Sequence, residues 1–422
     1  REFAKQRRED ADAVIVNTCG FIKPAREESY GILRELAEAK AVDQYLIAAG
    51  CLTQRFSEEV VKEVPGIDGI IGTRRWMDIL GLIQSLRIKK HPDPLYHLPE
   101  AEVVGKDEQG VIRTSVQGAS AYLKIADGCR RPCAFCSIPL IKGTLVSRPM
   151  DAILEETQVL MDHGIQEINL IAQDTTDYGH DLGMKDGLSD LLEAMLKILP
   201  EDRWIRLLYS YPGYVTDRLI DLMANSPQIV NYLDIPLQHA HPETLRHMRR
   251  PANINWVHET IGKMRAAIPD LALRTTFIVG YPGETEEEFQ ALLNFIEEMQ
   301  FDKVGAFPFS FEPGTTSEPL GDPISEEEKL DRIDRLMTLQ QEISLAKNQA
   351  LIGQQMPILI EGHGEIEGSD ELISIGRSYR DAPEIDGLVF VEGEAPIGAL
   401  TPVQISGAMT YDLTAIPLHK DK

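Results

Sequence analysis

The sequence predicts an α/β protein in three parts: an N-terminal α/β domain with a parallel sheet, a central open or partial (β/α) barrel, and a small C-terminal β-barrel. Three observations predict this order. Apolar strand-like runs alternate with helical stretches up to about residue 95, and six longer strand–helix units follow between residues 115 and 350. After residue 353 only short alternating runs remain, separated by Gly, Asp and Pro. The expected domains therefore span residues 1–95, 115–350 and 353–420.

The N-terminal part contains two apolar runs that end in "VNTCG" and "AAGCL". Cys19 and Cys51 thus come just after two predicted strands, and parallel sheets place their sites at the carboxyl ends of strands. We expect the two cysteines to converge there, although from the residues alone an ordinary buried position is equally consistent. The stretch at residues 88–110 contains Pro and His but no clear periodicity, which predicts a linker.

The central part contains six predicted strands with helical stretches between them. Their sequences are "AYLKIAD", "EINLIAQD", "WIRLLYSYP", "YLDIPLQH", "LRTTFIVGYPG" and "KVGAFPFS". Polar side chains stand at or near the ends of these strands, where a barrel places its ligand contacts. They are Gln173, Asp174, Gln238, His239 and Arg274. Each one taken singly is as consistent with a structural role as with a ligand contact.

The C-terminal part consists of short alternating runs such as "MPILIEG" and "GLVFVEG", which predict a five-stranded barrel. It is acidic, because residues 346–422 contain five Lys or Arg against twelve Asp or Glu. The whole chain has 42 basic and 67 acidic residues and a net charge of −25. A surface built mainly to hold nucleic acid would be basic, so this charge argues against nucleic acid as the primary partner.

Composition also predicts the location of the protein. No apolar run reaches the length of about 18 residues that a membrane span needs, and the charged start "REFAKQRRED" does not resemble a signal peptide. Five is an odd number of cysteines for a disulfide framework in a chain of 422 residues. The sequence therefore predicts a cytoplasmic protein with metal or redox chemistry and no membrane partner.

Three of the five cysteines lie close together in "DGCRRPCAFCSIP", where Cys129, Cys133 and Cys136 form C-x3-C-x2-C and Phe135 precedes the last one. Three thiolates in one short loop can bind three irons of a four-iron cluster and leave the fourth iron open for a substrate. A closed structural zinc site needs four ligands, and no fourth Cys or His follows nearby, since His163 is distant in sequence. Simple burial is the other alternative, but it does not account for three cysteines at this spacing.

This loop resembles the signature of the radical S-adenosylmethionine (SAM) enzymes, and the resemblance covers essentially the whole chain. "VNTCGFI" and "AAGCL" are similar to the N-terminal domain of the methylthiotransferases, while "GTLVSRP", "LDIPLQHA" and "RTTFIVGYPGETEEEF" are similar to motifs of their barrel. The resemblance implies a flavodoxin-like N-terminal domain, a TIM-like (β/α)6 radical SAM barrel and a C-terminal TRAM domain.

The resemblance also implies the cofactors, which are SAM and two 4Fe-4S clusters. The SAM-binding cluster would use Cys129, Cys133 and Cys136. The auxiliary cluster would use Cys19 and Cys51. The expected cofactor contacts are Phe135, Gln173, Asp174, Gln238 and Arg274.

Family members carry a third N-terminal cysteine in a "GCPKN"-like loop, and this chain starts downstream of the place where that loop is expected. The sequence thus predicts either a truncated version of a longer protein or an incomplete auxiliary cluster. The missing initiator methionine favours truncation.

The run "GRSYRDAPEIDGLVFV", residues 376–391, resembles the branch of the family that modifies a ribosomal protein (RimO-type), and the acidic C-terminal part agrees. The resemblance implies that SAM yields a 5′-deoxyadenosyl radical, which takes a hydrogen atom from the β-carbon of an aspartate in small-subunit ribosomal protein S-twelve. Sulfur then comes from the auxiliary cluster after a second SAM has methylated it, and a flavodoxin or ferredoxin is the expected reductant. Two alternatives remain open: a tRNA adenosine methylthiotransferase (MiaB-type), and a non-catalytic, metal-stabilised module that docks on ribosomes or RNA.

The acidic residues of this run predict a docking surface. Asp381, Glu384 and Asp386 lie in the loop-like "RDAPEIDG". We expect all three to be exposed and to meet a basic protein, since complementary charge steers encounter and rejects wrong partners.

Overall fold

The computed structural model describes most of the chain in two compact units. The described residues are 11–88, 93–99, 118–365 and 372–418. Unit 1 comprises the described residues from 11 to 99 together with Asp127–Val146 and Ser310–Gly321. Unit 2 comprises residues 118–126, Ser147–Phe309 and the described residues from Asp322 onward.

Unit 1 contains a four-stranded parallel sheet whose strands neighbour one another in chain order. The strands are β1 (Ala13–Thr18), β2 (Tyr45–Gly50), β3 (Gly69–Gly72) and β4 (Leu95–His97). The connecting helices are α1 (Lys23–Ala39), α2 (Cys51–Glu63) and α3 (Ile79–Ile88). Leu33, Leu46 and Leu52 are buried together, so the apolar sides of α1 and α2 cover one face of the sheet. A flavodoxin-like sheet has the strand order 2-1-3-4-5, and the four described strands do not include the reversal at its first two positions.

The predicted linker at residues 88–110 was wrong in part. It contains β4, which pairs in parallel with β3 and aligns Leu95 with Gly69. A three-residue edge strand is too short to show the period of two by which strands are recognised. Residues 89–92 and 100–110 of the predicted linker, like residues 1–10, lie outside the described residues.

A second parallel sheet forms the centre of unit 2. In chain order, the next strands are β5 (Ser120–Lys124), β6 (Ala126–Asp127), β7 (Val146–Ser147), β8 (Glu167–Ile171), β9 (Trp204–Leu207), β10 (Ile229–Asp234), β11 (Ala272–Val279) and β12 (Lys303–Pro308). The short strands β6 and β7 pair only with each other, at the two ends of the cysteine-bearing segment. The other six form one sheet in the order β12-β11-β10-β9-β8-β5, so the six predicted strands are confirmed.

Helices follow the strands as the predicted barrel requires. In chain order they are α4 (Ile138–Lys142), α5 (Met150–Asp162), α6 (Gly187–Leu196), α7 (Asp217–Asn225), α8 (Pro242–His247), α9 (Ile254–Ala267), α10 (Glu286–Met299) and α11 (Glu326–Gln349). Short 3-10 turns occupy Trp76–Asp78, Thr175–Asp177, His180–Leu182 and Glu318–Leu320. Among the described residues, no helix combines the length and the apolar character that crossing a membrane demands.

The two faces of the unit 2 sheet differ in character. Along β11, Thr275, Phe277 and Val279 are buried, whereas the alternating residues Arg274 and Thr276 are only partly buried. Successive side chains of a strand point to opposite faces, so one face packs under the helices and the other carries polar side chains. The polar face is the inner face of a partial barrel.

The C-terminal strands close into a five-stranded barrel, called the β-module below, as the sequence predicts. They are β13 (Gln355–Glu365), β14 (Leu372–Arg377), β15 (Val389–Glu392), β16 (Leu400–Ala408) and β17 (Leu413–Pro417). Inward-facing Ile358, Val389 and Val403 are fully buried in its core. Alternation of such residues with polar ones is the pattern from which the barrel was predicted.

The β-module packs on the amino-terminal half of the sheet in unit 2. Ala119, Trp204 and Ala272, at or near the starts of β5, β9 and β11, are buried with Leu359 and Ala382 of the β-module. A buried ion network lies beside this apolar contact. The three side chains at its centre are Glu167, Arg206 and Arg377, each at most 2% exposed.

The predicted acidic docking surface was wrong for two of its three residues. Asp381 is 3% exposed and pairs with Lys303 at 2.7 Å. Asp386 is equally enclosed, and its carboxylate accepts a hydrogen bond from the Tyr232 hydroxyl at 2.7 Å. Glu384 alone is exposed, with a left-handed backbone at φ 70°. The sequence of this run is typical of an exposed polar loop. In the structure, however, the Asp381 and Asp386 carboxylates are the partners of buried polar groups on the barrel strands, and burying such groups without partners would be costly.

Candidate functional site

All five cysteines belong to unit 1, and none of them forms a disulfide. Cys19 follows the last residue of β1, and Cys51 is the first residue of α2, directly after β2. Thr18 and Gly50 are aligned across the two strands, so both cysteines leave the sheet at the same edge. Burial raises the pKa of the Cys51 thiol, and Cys19 contributes to the increase, whereas Lys142 opposes it. The two sequence-predicted ligands of the auxiliary cluster are therefore neighbours.

Two glycines let these cysteine turns pack closely. A Cβ at Gly20 would lie 2.6 Å from the Cα of Leu52, and a Cβ at Gly50 would lie 2.6 Å from the carbonyl oxygen of Thr18. Gly50 also has φ 117°, a conformation that L side chains rarely adopt. The backbone at Cys19 is fixed by Ser29, whose Oγ accepts from the Cys19 N–H at 3.1 Å.

The three-cysteine loop, residues 128–137, is a folded turn. The Cys129 N–H donates to the Gly143 carbonyl at 3.1 Å, and the Cys136 N–H donates to the Cys133 carbonyl at 3.2 Å. The backbone N–H of Arg131 lies 3.5 Å from Cys129 Sγ, in the geometry of a hydrogen bond to sulfur. This contact helps to fix the position of the Cys129 side chain in the loop.

Gly128 is the first residue of this loop, and any side chain at this position would force the backbone to move. Its φ is 75°, and a Cβ there would lie 1.9 Å from the carbonyl oxygen of Thr144. Asp127, which precedes it, pairs with Lys142 at 3.2 Å. Phe135 is partly exposed between the second and third cysteines.

The described residues contain no group of three or more His, Cys, Asp or Glu side chains that is already arranged to hold a metal ion, and this applies to the three cysteines as well. His163 belongs to unit 2, and its Nδ1 contacts the Val159 carbonyl at 2.7 Å. A four-iron cluster makes a different demand, because each thiolate binds its own iron. The donor set of Cys129, Cys133 and Cys136 in one glycine-started turn fits that demand.

In unit 2, the predicted polar residues Gln173, Asp174, Gln238 and His239 follow the carboxyl ends of β8 and β10. Asp174 is 2% exposed and accepts a hydrogen bond from Thr176 Oγ1 at 2.6 Å. Among the described residues, the buried Oε1 of Gln173 has no hydrogen-bond partner. A buried acceptor without a partner costs free energy, so it marks a place where a ligand donor fits.

Sequence reasoning missed Tyr209 and Ser210, which follow the end of β9 between these two strands. The buried Oγ of Ser210 has no hydrogen-bond partner in the described structure. Tyr209 and Gln238, which follow the adjacent strands β9 and β10, both have a left-handed backbone, with φ 61° and 76°. Such conformations are costly for residues other than glycine and concentrate at functional sites. The missed signal was the rule already applied to Gln173, namely polar residues directly after a strand.

Arg274 is placed differently from the expectation. It is the third residue of β11, toward the amino end of that strand rather than the carboxyl end. Its guanidinium pairs with Asp234 at 3.0 Å and lies 3.6 Å from Asp386. Because both neighbours are carboxylates of this chain, the charge of Arg274 is already compensated within unit 2.

Comparison with known proteins identifies the family. Residues 123–296 match the radical SAM superfamily, residues 352–417 match the TRAM domain, and residues 2–72 match a family described as "Uncharacterized protein family UPF0004". Among solved structures, the radical SAM methyltransferase TsrM from Kitasatospora setae superposes with a TM-score of 0.55 at 14% identity. That superposition covers 72% of this chain and 63% of TsrM, and it shows the fold alone.

Curated relatives are much more similar. The "Ribosomal protein uS12 methylthiotransferase RimO" of Chloroflexus aurantiacus is 48% identical over 416 residues, which cover 96% of this chain and 91% of that protein. The RimO proteins of Synechocystis and Geobacter sulfurreducens are 42% and 40% identical, and the alignments cover 90% of each. The chain therefore belongs to the RimO family of radical SAM methylthiotransferases, and it is a transferase.

Proposed function

We propose that this enzyme methylthiolates the β-carbon of an aspartate in ribosomal protein uS12, using SAM and two 4Fe-4S clusters. The printed names of the curated relatives support the substrate. The observation that carries the proposal is the grouping of all five cysteines in unit 1, as a C-x3-C-x2-C loop and a separate pair at a sheet edge. A single-cluster enzyme would need only the first of these groups.

The three-cysteine loop would hold the SAM-binding cluster. When bound, the cluster and SAM supply one-electron chemistry that opens an unactivated C–H bond, which no side chain can do. The chain's own residues orient the ligands. The Arg131 N–H contacts Cys129 Sγ in unit 1. In unit 2, the buried oxygens of Gln173 and Ser210 are candidate hydrogen-bonding groups for a ligand.

Cys19 and Cys51 would hold the auxiliary cluster, from which sulfur is drawn. They lie at one sheet edge, where Ser29 fixes the backbone of Cys19. A closely packed turn suits this role, since a cluster whose protein ligands move would offer its sulfur at varying positions.

The acidic character of the chain favours a basic protein as substrate over transfer RNA. The net charge is −25, and the C-terminal part is acidic as well. A ribosomal substrate implies a cytoplasmic location, and a flavodoxin or ferredoxin is the reductant that we propose.

The test is a reaction of the reconstituted chain with SAM, dithionite and purified uS12, analysed by mass spectrometry. We expect 5′-deoxyadenosine together with a methylthio group on one aspartate of uS12. Replacing Cys133 with Ala should abolish both products, because a two-cysteine loop should not hold the cluster. Methylthiolation of tRNA adenosine and not of uS12 would overturn the proposed substrate.

A further inference from the structure

A segment that follows β12, Ser310–Gly321, belongs to unit 1 and is called the strap below. Its residue Glu312 is 2% exposed although it carries a charge. Glu312 Oε2 accepts from Arg55 Nη1 at 2.9 Å and pairs with Arg26, and Oε1 accepts from Ser310 Oγ at 3.0 Å. A buried carboxylate with two guanidinium partners is held in one position, whereas an exposed ion pair is mobile.

Arg55 connects Glu312 to the Cys19 turn. The same Nη1 atom donates to the carbonyl of Gly20 at 2.8 Å, and Nη2 donates to the carbonyl of Pro313 in the strap at 2.9 Å. One buried guanidinium therefore bridges the backbone beside Cys19 and the strap. The planar fork of arginine suits this task, because its donors point in set directions.

Arg26 reinforces the connection from the other side of the carboxylate. It lies on α1, one turn before Ser29, which bonds the backbone of Cys19. The guanidinium groups of Arg26 and Arg55 both lie over the ring of Phe56, at 5.0 and 4.6 Å from its centroid. Stacking on one ring restricts both side chains to the positions from which they meet Glu312.

The strap also holds the three-cysteine loop. The N–H of Ser317 donates to the Ala134 carbonyl at 2.9 Å, between the second and third cysteines. The fully buried Ser137, next to Cys136, donates through Oγ to the Phe21 carbonyl at 3.1 Å. The two cysteine turns are thus joined directly through Ser137 and indirectly through the strap.

We propose that Glu312 and Arg55 are positioning residues that fix the Cys19 turn relative to the three-cysteine loop, so that sulfur is transferred where the substrate radical forms. The inference rests on the proposed function, because sulfur from the auxiliary cluster must reach the substrate carbon that is activated at the three-cysteine loop, and this requires a constant separation of the two turns. Neither residue touches a reacting atom. Both act through the backbone of Gly20 and through the strap.

The test compares Glu312→Gln with Glu63→Gln in the reconstituted full chain. Glu63 is a matched control, because it pairs with Arg34 on the surface of the same unit and is 43% exposed. Hydrogen–deuterium exchange is measured at residues 19–22 and 134–137, together with the ratio of methylthiolated uS12 to 5′-deoxyadenosine. In Glu312→Gln we expect exchange in both segments to quicken about tenfold and the product ratio to fall about tenfold.

A second variant separates positioning from general loss of structure. Arg55→Lys keeps a cation beside Glu312 but cannot bridge three oxygens, so exchange should quicken at residues 19–22 and remain slow at 134–137. Exchange in Glu312→Gln equal to that in Glu63→Gln, or an unchanged product ratio, would overturn the inference. If the wild-type protein, loaded with both clusters, cleaves SAM without modifying uS12, the proposed function fails, while the exchange measurements still decide whether the two turns are joined.

Discussion

Replacing Arg377 with Met is expected to destabilise unit 2 strongly. The guanidinium of Arg377 is 2% exposed and pairs with Glu167 and with Glu361, the latter at 2.7 Å. It also donates to the Asp381 carbonyl at 2.8 Å. Methionine is of similar length but has no donor, so Glu167 would keep only Arg206 as a cationic partner and the Asp381 carbonyl would lose its donor.

The magnitude follows from the number of partners that Arg377 has. Burial alone would raise the pKa of Glu167, but Arg206 and Arg377 outweigh burial and lower it from 4.5 to about 2. Removing Arg377 takes one of these two cations from Glu167 and takes a donor from the Glu361 carboxylate and the Asp381 carbonyl. We therefore expect a destabilisation of about 3 kcal/mol, within the range for broken buried pairs.

The assay is urea and thermal unfolding followed by circular dichroism. We expect the melting temperature of Arg377→Met to fall by about 3 to 5 °C. The matched control is Arg218→Met, because Arg218 has carboxylate partners at Asp190 and Glu193 but is 40% exposed. Exposed pairs contribute little, so this control should melt close to the wild type. Equal melting of the two variants would refute the argument that the network in unit 2 is stabilising.

Three further predictions concern single sites. Glu167→Gln should reduce the loss of folding stability as pH falls from 4.5 toward 2. The lowered pKa of Glu167 contributes stability that is fully present above the pKa of the unfolded state and is lost as pH falls through the pKa of the folded state. Unfolding measured across this pH range checks the prediction. Gly128→Ala should lower the iron content at the three-cysteine loop, since its Cβ would clash with Thr144, and undiminished iron would contradict this. Asp386→Asn should destabilise the chain by about 1 to 3 kcal/mol in urea unfolding, whereas Glu384→Gln should not; equal effects would contradict the burial of Asp386.

The sequence was sufficient for features that depend on local pattern. The six barrel strands are long apolar runs with helices between them, and the loop with Cys129, Cys133 and Cys136 is recognised by spacing and thiol chemistry alone. The edge strand Leu95–His97 escaped because three residues show no period. The burial of Asp381 escaped because it depends on Lys303, a partner 78 residues earlier that no local pattern reveals.

The ligand contacts of unit 2 remain predictions. The rule that polar residues after parallel strands contact ligands selects Gln173 and Gln238 as candidates, and it would also have selected Ser210 had the end of β9 been placed correctly. The apolar run "WIRLLYSYP" continues past the strand, which ends at Leu207, so the polar residues after it were read as part of the strand. The left-handed backbone of Tyr209 depends on tertiary packing, which no composition shows.

The buried contacts of the β-module limit how it can take part in recognition. Arg206, Arg274 and Lys303 are cations on barrel strands, and each has a partner from the β-module or its loop: the Tyr379 carbonyl, Asp386 and Asp381. Removing the β-module would take Asp381 from Lys303, would take one of several partners from Arg206 and Arg274, and would expose the apolar contact around Trp204 and Leu359 to water. The barrel strands and the β-module are therefore expected to fold together within unit 2. A protein substrate that docks on the β-module would then be held at a constant position relative to Gln173, Tyr209 and Gln238 at the carboxyl edge of the same sheet.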